Sequence, residues 1–217
     1  MGGRAVTKNP LGSWQGTFGA SYIERNRSTD ETTAEASAVF ARMLDAAGVR
    51  SEIGSVLEVG ANVGINLRGL RKALGPAIHL SALEPNASAC AELRRDRELA
   101  LASVLEATAY EIPAPDASFD LAFTNGVLIH IPPDQLPRAL AEIVRVSKRF
   151  VLCSEYFSHT PVEMPYRGES GLLWKRDFGQ AYLDAWPDLR VRGYGFTWQV
   201  EFPHFDDLNW WLLEKVG

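Results

Sequence analysis

The sequence predicts an α/β protein whose core is a doubly wound, seven-stranded and mostly parallel sheet. Short apolar runs typical of buried strands alternate with segments of helical periodicity from residue 55 to residue 186. A glycine turn connects the first apolar run to the helix that follows it, as in a βαβ unit. Two further runs, 189–200 and 208–216, have no helix between them and predict a closing antiparallel pair.

The length of the chain fits one domain. A chain of 217 residues can bury one sizeable core, and we expect a single domain across 1–217. We expect residues 1–12 to form a loose tail and residues 13–50 to form N-terminal helices. The core is expected to span residues 51–217. The proline- and glycine-bearing segment 157–175 is long for a connection in a compact domain, and we expect a substrate loop there.

Charge and composition restrict the partners. The net charge of -5 argues against non-specific nucleic-acid binding, which needs a basic face. No apolar run approaches the roughly 20 residues of a membrane span, and residues 1–10 lack the apolar centre of a secretory signal. Cys90 and Cys153 lie in apolar contexts that favour reduced thiols, and the histidines show no metal-ligand spacing. We therefore expect a cytoplasmic monomer or homodimer that uses a small molecule, without nucleic acid, membrane or metal.

The turn after the first strand favours a nucleotide-type ligand. A short apolar run, interrupted by Glu58, precedes Gly60 and Gly64, and helical spacing follows. Gly60 has no Cβ, so a ligand can lie against the main chain, and the helix start near Gly64 offers free N–H groups to an anion. The dinucleotide fingerprint needs glycine at its first, third and sixth positions, which here hold Gly60, Asn62 and Ile65. A nicotinamide dinucleotide therefore fits poorly.

The second predicted strand ends on an acid. Glu84 follows Gly64 at about the twenty-residue spacing of a ribose-binding carboxylate in a βαβ nucleotide site. Such a carboxylate accepts hydrogen bonds from both ribose hydroxyls. Pro85 and Asn86 follow it, and Asn86 is predicted to cap the next helix.

The ends of two later strands carry polar residues. Asn125, Gly126 and His130 follow the fourth predicted strand, and Glu155 and Tyr156 end the fifth. Because ligands bind beyond the carboxyl ends of the strands in a doubly wound sheet, we expect these residues to face one site. His130 and Glu155 are the candidate bases. The alternative for His130 is a hydrogen-bonded histidine that shapes the proline turn after it.

Two aromatic segments are candidates for covering this site. Tyr166 and Arg167 lie in the 157–175 loop, where the arginine either recognises a carboxylate or phosphate or only holds the loop in place. An aromatic residue recurs every four positions up to Tyr22, and Arg25 follows within reach of an anion. That helical stripe predicts either a lid over the ligand or packing against the core.

The segment from Glu58 to Gly64 resembles the first motif of class I S-adenosylmethionine-dependent methyltransferases, E/D-x-G-x-G-x-G. It departs from that motif at Asn62, which replaces the middle glycine. With five βα units and two closing strands, nearly the whole chain resembles the Rossmann-like methyltransferase fold. A narrower resemblance, to the pseudaminic acid biosynthesis-associated methylase family, lies in residues 18–26, 58–64, 125–131, 161–168 and 175–178.

The class resemblance implies S-adenosylmethionine as methyl donor and S-adenosylhomocysteine as product. Glu58 would fix the loop through backbone N–H groups or bind the donor's ammonium group, and the loop at Thr108 and Ala109 would contact adenine. The implied donor site comprises Tyr22, Arg25, Glu58, Gly60, Ala61, Asn62, Gly64, Glu84, Pro85, Thr108, Ala109, Asn125 and Gly126.

The implied reaction is O- or N-methylation of a small molecule, for which an acidic sugar, a nucleotide sugar or another biosynthetic intermediate is a candidate. Tyr156, Tyr166 and Arg167 would bind this acceptor, and His130 or Glu155 would act as the base. Two alternatives use the same fold: a nicotinamide-dependent oxidoreductase and a non-catalytic cofactor-binding module.

Overall fold

Strands and helices alternate along the part of the chain that the computed structural model describes, which is Gly12 and residues 27–216. The predicted aromatic lid, with Tyr22 and Arg25, lies outside these residues. In chain order the described helices of eight or more residues are α1 (Asp30–Ala47), α2 (Ile65–Leu74), α3 (Ala87–Arg95), α4 (Leu136–Val146) and α5 (Phe178–Ala185).

Seven of the described strands form one sheet in the order β3-β2-β1-β4-β5-β9-β8. Strands β1 to β5 pair in parallel, and β9 pairs antiparallel with both β5 and β8. This arrangement confirms the predicted doubly wound sheet and its closing antiparallel pair. The strands are β1 (Ser55–Val59), β2 (His79–Glu84), β3 (Ser103–Glu106), β4 (Phe119–Asn125), β5 (Ser147–Glu155), β6 (Val162–Tyr166), β7 (Glu169–Lys175), β8 (Leu189–Thr197) and β9 (Leu208–Lys215).

The strand order reverses between β1 and β4. The chain builds β1, β2 and β3 outward in one direction and then returns to place β4 on the other side of β1. The loops after β1 and β4 therefore leave the sheet in opposite directions and open a crevice at the carboxyl ends of the strands. This is where a doubly wound sheet binds its ligand.

An apolar layer covers each face of the sheet. Side chains from α1, α2 and α3 pack on one face, and side chains from α4 and α5 pack on the other. Both cysteines are free thiols and are buried, Cys90 on α3 and Cys153 on β5. The burial of β1, β2, β4 and β5 between two helical layers explains the apolar runs in their sequences.

Helix α1 begins where the sequence predicts a start. The Thr29 hydroxyl accepts a hydrogen bond from the Thr32 amide at 3.1 Å, and the Thr32 hydroxyl accepts one from the Thr29 amide at 2.9 Å. This reciprocal pair satisfies two amides that a helix start leaves without partners. Further along α1, Ala36 lies so close to α2 that a Cβ on Gly69 would come within 2.5 Å of its Cβ.

The segment 157–175, expected to be a loop, contains a β-hairpin instead. Strands β6 and β7 pair antiparallel, and Tyr166 faces Glu169 across a two-residue turn. The turn residues Arg167 and Gly168 have φ values of +53° and +79°, which is the backbone of a type I′ turn. The paired backbone explains how a long connection in this domain is ordered.

No described helix combines the length and the apolar character that crossing a membrane requires. Within the same described residues, no cluster of three or more histidine, cysteine, aspartate or glutamate side chains is placed to bind a metal ion.

Candidate donor and acceptor site

A cavity of about 660 Å³ opens at the carboxyl ends of β1, β2 and β4. This is the crevice created by the reversal of strand order, and its volume is in the range of small-molecule sites. It brings together most of the residues predicted from the sequence. Those that line it are Glu58, Gly60, Ala61, Asn62, Glu84, Pro85, Thr108, Ala109, Asn125, Gly126, His130, Tyr156, Tyr166 and Arg167.

The turn after β1 has three residues in the left-handed region, which accounts for its glycines. Gly60, Asn62 and Gly64 have φ values of +80°, +46° and +78°. Asparagine tolerates this conformation better than most side chains, so the missing middle glycine of the motif does not change the turn. A Cβ at Gly60 would lie 2.6 Å from a methyl carbon of Val127. The lack of a side chain at Gly60 thus makes room for the Val127 side chain as well as for a ligand.

Gly64 does not line the cavity, which corrects its assignment to the donor site. It precedes the first residue of α2, and a Cβ there would lie 2.8 Å from Leu99 and 2.9 Å from Leu93 side-chain carbons. The glycine is therefore required by its backbone conformation and by close packing against α3 and the chain that follows it.

Glu84 links the turn after β1 to the start of α3. One carboxylate oxygen accepts a hydrogen bond from the Asn62 amide at 2.8 Å, and the other accepts one from the Asn86 amide at 2.8 Å. Burial raises the pKa of Glu84, and these two hydrogen bonds oppose that shift. The side chain is buried and yet lines the cavity, so its remaining lone pairs face the ligand space.

Glu58 lies at the floor of the cavity and is almost completely buried. One of its oxygens accepts a hydrogen bond from the Asn66 side-chain amide at 2.7 Å, and the other has no partner among the described residues. Burial raises the pKa of Glu58 well above its ordinary value, with a smaller contribution from Glu84. The loop contact thus runs through the Asn66 side chain and not through the expected backbone amides.

Asn125 provides a second unpartnered oxygen. Its side-chain carbonyl is buried at the end of β4 and makes no hydrogen bond within the described structure. Together with the partnerless oxygen of Glu58, it gives the cavity two buried acceptors. Buried polar atoms without a partner are costly, and a ligand with N–H groups would satisfy both.

His130 connects the cavity to the hairpin. Its Nδ1 lies 2.7 Å from the carbonyl oxygen of Leu172, and its ring meets the Tyr166 ring edge-on at 5.0 Å between centroids. Because a carbonyl only accepts, Nδ1 carries the proton and Nε2 is the acceptor nitrogen of the neutral ring. Burial lowers the pKa of His130 to about 4, so the ring is neutral at physiological pH.

Glu155 does not line the cavity, which corrects its predicted position in the crevice. It is completely buried, and its carboxylate accepts hydrogen bonds from the Val127, Leu128 and Ile129 amides. A base must reach the proton that it removes, so the geometry leaves His130 as the remaining base candidate at the cavity wall.

The hairpin brings aromatic and cationic groups to the cavity. Tyr166 and Arg167 line it from the hairpin turn, and the guanidinium carbon of Arg167 lies 5.5 Å from the Tyr166 ring centroid. At the hairpin base, the ammonium nitrogen of Lys175 lies 4.9 Å from the ring centroid of Tyr156. This side of the cavity is suited to a polar or anionic molecule that stacks on rings.

Sequence reasoning missed one wall of the cavity. The sequence predicts the two closing strands and nothing about the loop between them. In the structure this loop, between β8 and β9, closes the side of the cavity nearest α1. Two links hold it there: Glu35 bonds to the backbone and ring nitrogens of His204 at 2.9 and 2.8 Å, and Arg42 pairs with Glu201. In the sequence, this wall is indicated only by the aromatic and polar residues that are clustered in the loop. The missed lining residues on this wall are Gln199, Pro203, His204, Phe205, Asp206 and Leu208.

The cavity therefore has two chemically different sides. Carboxyl and amide oxygens lie at the ends of β1, β2 and β4, where hydroxyl and ammonium groups of a ligand would bind. Aromatic rings, a neutral imidazole and a guanidinium lie on the side of the hairpin. Such an arrangement can hold two small molecules side by side and align them for a transfer between them.

Residues 56–149 match the sequence profile of a family described as a methyltransferase domain. These residues contain β1 to β4 and most of the cavity-lining loops. An uncharacterized protein of Haemophilus influenzae is 34% identical over 107 residues, which are 48% of this chain and 43% of that protein. The chain thus matches less than half the length of this curated relative.

Solved structures share the fold over nearly the whole chain. The 1,6-didemethyltoxoflavin-N1-methyltransferase of Burkholderia thailandensis, with bound 1,6-didemethyltoxoflavin and S-adenosylhomocysteine, superposes with a TM-score of 0.71 at 18% identity, covering 99% of this chain and 93% of that chain. A S-adenosylmethionine-dependent methyltransferase of Leishmania major gives a TM-score of 0.69 at 16% identity, covering 96% and 87%. The chain has the Rossmann-like fold of class I S-adenosylmethionine-dependent methyltransferases.

Proposed function

We propose that this protein transfers the methyl group of S-adenosylmethionine to a small-molecule acceptor. The observation that carries the proposal is the cavity at the reversal of strand order, where the methyltransferase-like turn after β1 and the carboxylate of Glu84 face one space. The profile match over residues 56–149 and the fold shared with methyltransferases support the same conclusion.

The residues present fit the donor. Glu58 and Asn125 each have an oxygen without a partner in the described part of the chain, and these oxygens would accept from its ammonium group, while Glu84 would accept from its ribose hydroxyls. Thr108 and Ala109 line the cavity beyond Glu84, where the adenine ring would lie. When bound, S-adenosylmethionine supplies a methyl group that its sulfonium already activates.

The remaining task of the protein is alignment and exclusion of water. His130 lines the cavity, and the Leu172 carbonyl at its Nδ1 fixes the orientation of the neutral ring against the second molecule. With a pKa near 4 the ring binds a proton weakly, so its proposed role is to orient the acceptor.

A thermal-shift experiment tests the donor site. S-Adenosylmethionine and S-adenosylhomocysteine should raise the melting temperature, because a ligand at about 100 times its Kd stabilises the folded state by about 2.7 kcal/mol. NAD should leave it unchanged, since the glycine pattern does not fit a dinucleotide. A shift with NAD and none with S-adenosylhomocysteine would favour the oxidoreductase alternative. Product binding without methyl transfer to any compound screened would favour the non-catalytic module.

The acceptor that we infer is a small anionic molecule, such as an acidic sugar or a nucleotide sugar, methylated on oxygen or nitrogen. Arg167 supports this inference, because it lies at the cavity on the side away from Glu58 and Glu84. Tyr156 and Tyr166 add rings on which a sugar or base can stack. The resemblance to the pseudaminic acid biosynthesis-associated methylase family also favours an acidic sugar.

Replacing Arg167 by asparagine separates its charge from its backbone role. Asparagine before glycine is favoured in a type I′ turn, so Arg167→Asn should keep the hairpin and remove the cation. Screening for methyl incorporation would first identify an acidic acceptor. For this acceptor we expect KM to rise at least about tenfold, because the variant loses one charge-assisted hydrogen bond. Affinity for S-adenosylhomocysteine should not change. Loss of that affinity instead, or a preference for neutral acceptors, would contradict the assignment.

A further inference from the structure

A buried carboxylate lies beneath the turn that forms one wall of the cavity. Three consecutive amides, those of Val127, Leu128 and Ile129, donate hydrogen bonds to the oxygens of Glu155 at 3.2, 3.1 and 3.3 Å. Val127 and Ile129 line the cavity, and so does His130 directly after them. Glu155 itself reaches neither the cavity nor solvent. It therefore acts on the site only through the turn.

The turn depends on this one acceptor. Residues Leu128–His130 form a short 3-10 helix, whose first amides have no carbonyl partner within the helix. The Glu155 carboxylate supplies that partner for three of them, and no lysine or arginine among the described residues pairs with it. A negative charge is thus held in the protein interior mainly by backbone N–H groups.

The turn also packs against the glycine-containing turn after β1. The side chain of Val127 occupies the space that a Cβ on Gly60 would take, at 2.6 Å. A displacement of Val127 would therefore disturb the turn after β1, which also lines the cavity. The position of the Glu155 carboxylate is linked in this way to both walls.

Three of the titratable groups around Glu155 stay neutral while it titrates. Burial raises the pKa values of Cys153, on the same strand, and of Tyr182, on α5, well above their ordinary values. Burial lowers the pKa of His130 to about 4. Thr124 on β4 and Asn209 on β9 do not titrate, and Asp177 caps the start of α5. Burial raises the pKa of Glu155 to about 7 against the opposing hydrogen bonds of the turn.

We propose that Glu155 is a positioning residue of the candidate site: its ionised carboxylate holds residues 127–130 in place and, through Val127, the turn after β1 that binds the donor, and protonation releases both turns. This inference rests on the proposed function of the cavity. It replaces the role of base, for which Glu155 is too deeply buried.

Calorimetry with S-adenosylhomocysteine between pH 6 and pH 8.5 tests the inference. Wild-type affinity should fall about tenfold from pH 8 to pH 6, because binding requires a group that is mostly protonated at the lower pH. Glu155→Gln cannot ionise, so its affinity at pH 8 should already be about tenfold lower and should change less with pH than that of the wild type. Any change that remains would come from Glu58 and Glu84, whose pKa values burial also raises. Amide proton resonances of residues 127–129 should move together near pH 7 in the wild type.

Glu214→Gln is the matched control. Glu214 is also largely buried and carries a carboxylate, but it lies opposite Phe150 at the other end of β5, where it pairs with Arg149 and Arg192. This variant should keep the wild-type affinity and pH profile. For a Glu155→Gln protein that does not fold, the pH dependence of the wild-type affinity and of the wild-type resonances provides the test.

The outcomes separate the two proposals. Wild-type protein that binds no S-adenosylhomocysteine at any pH would overturn the proposed function, and this inference with it. Wild-type binding that does not depend on pH, with equal binding by Glu155→Gln, would overturn the role of Glu155 alone. Amide resonances of the turn that do not respond to pH would also overturn it.

Discussion

At the scale of single residues, Asn62 shows how a departure from a motif can preserve its geometry. The residue takes a left-handed conformation with φ of +46°, and its amide donates to Glu84. Both properties belong to the backbone, so a side chain that tolerates the conformation serves as well as glycine. The motif could therefore be read correctly from the sequence although one of its glycines is absent.

His130 makes the stability of the protein depend on pH. Its pKa of about 4 in the folded state lies below the ordinary value of 6.5. Between these values the unfolded chain binds a proton that the folded chain does not bind. The stability associated with the neutral ring is therefore complete above pH 6.5 and decreases as the pH falls towards 4, by about 3 kcal/mol in total.

Replacing His130 by asparagine tests this dependence. Asparagine can keep the hydrogen bond to the Leu172 carbonyl but does not titrate. We expect the wild type to lose about 2 to 3 kcal/mol of unfolding free energy relative to the variant between pH 7.5 and pH 4.5. Urea denaturation at the two pH values measures the difference. If the wild type and the variant differ by the same unfolding free energy at both pH values, the His130 ring is not held neutral.

Single residues also mark the limit of sequence reasoning. Glu155 and His130 both follow strands that end at the same edge of the sheet, and both were expected to face the crevice. Whether a side chain points into the crevice or under a turn depends on the strand pleat and on the amides nearby. The pattern of residue types does not contain this information. Gly64 was misassigned because its packing against Leu93 and Leu99, which are distant in the sequence, also requires a glycine.

At the scale of secondary-structure elements, the five helices and the seven-stranded sheet were predictable because each has a strong apolar period. The β6–β7 hairpin was not predictable in this way. Its first strand contains Pro165, which normally argues against a strand, and the residue lies at an irregularity in the pairing of β6 with β7. Its turn is Arg167-Gly168, which lacks the asparagine or aspartate that usually identifies a type I′ turn.

The contact between α1 and α2 gives a test at this scale. Gly69→Ala would place a Cβ 2.5 Å from the Ala36 Cβ and 2.6 Å from its carbonyl carbon. Alanine is favoured over glycine in a helix by about 1 kcal/mol, but overpacking should exceed this gain. We expect the free energy of unfolding to fall by about 1 to 3 kcal/mol.

Chemical denaturation measures this change, and Lys72→Ala is the control. Lys72 is exposed on the same helix, so its replacement should change stability by less than about 0.5 kcal/mol. A Gly69→Ala protein as stable as the wild type would show that the two helices can move apart without cost.

At the scale of the whole molecule, the cavity is closed by contacts between distant parts of the chain. Glu35 on α1 bonds to His204, and Arg42 on the same helix pairs with Glu201 and stacks over Phe202. The bonded residues are more than 150 positions apart. No local pattern predicts such a link, which is why the β8–β9 wall of the site could not be derived from the sequence.

Glu35→Ala tests the contribution of this link. Without the carboxylate, the loop that carries His204 and Phe205 should lose its fixed position against α1. We expect affinity for S-adenosylhomocysteine to fall about fivefold, equivalent to about 1 kcal/mol, with little change in stability. Calorimetry measures the affinity.

Asp45→Ala is the comparison for that measurement. It removes a different ion pair, with Arg50, ten residues further along the same helix and away from the cavity. Affinity should remain at the wild-type value in this variant. A similar loss in both variants would show that α1 acts through its overall stability and not through the loop.

The two buried thiols allow local opening of the protein to be measured by chemical labelling. Cys90 lies on the buried side of α3 and donates to the carbonyl oxygen of Glu84, whereas Cys153 lies on β5 beneath α5. Burial raises the pKa of Cys90 to about 11 and also raises that of Cys153, so neither sulfur reacts with an alkylating reagent while its layer is closed. The labelling rate of each cysteine measures how often its side of the sheet opens. A ligand that engages Glu84 should slow the modification of Cys90 more than that of Cys153.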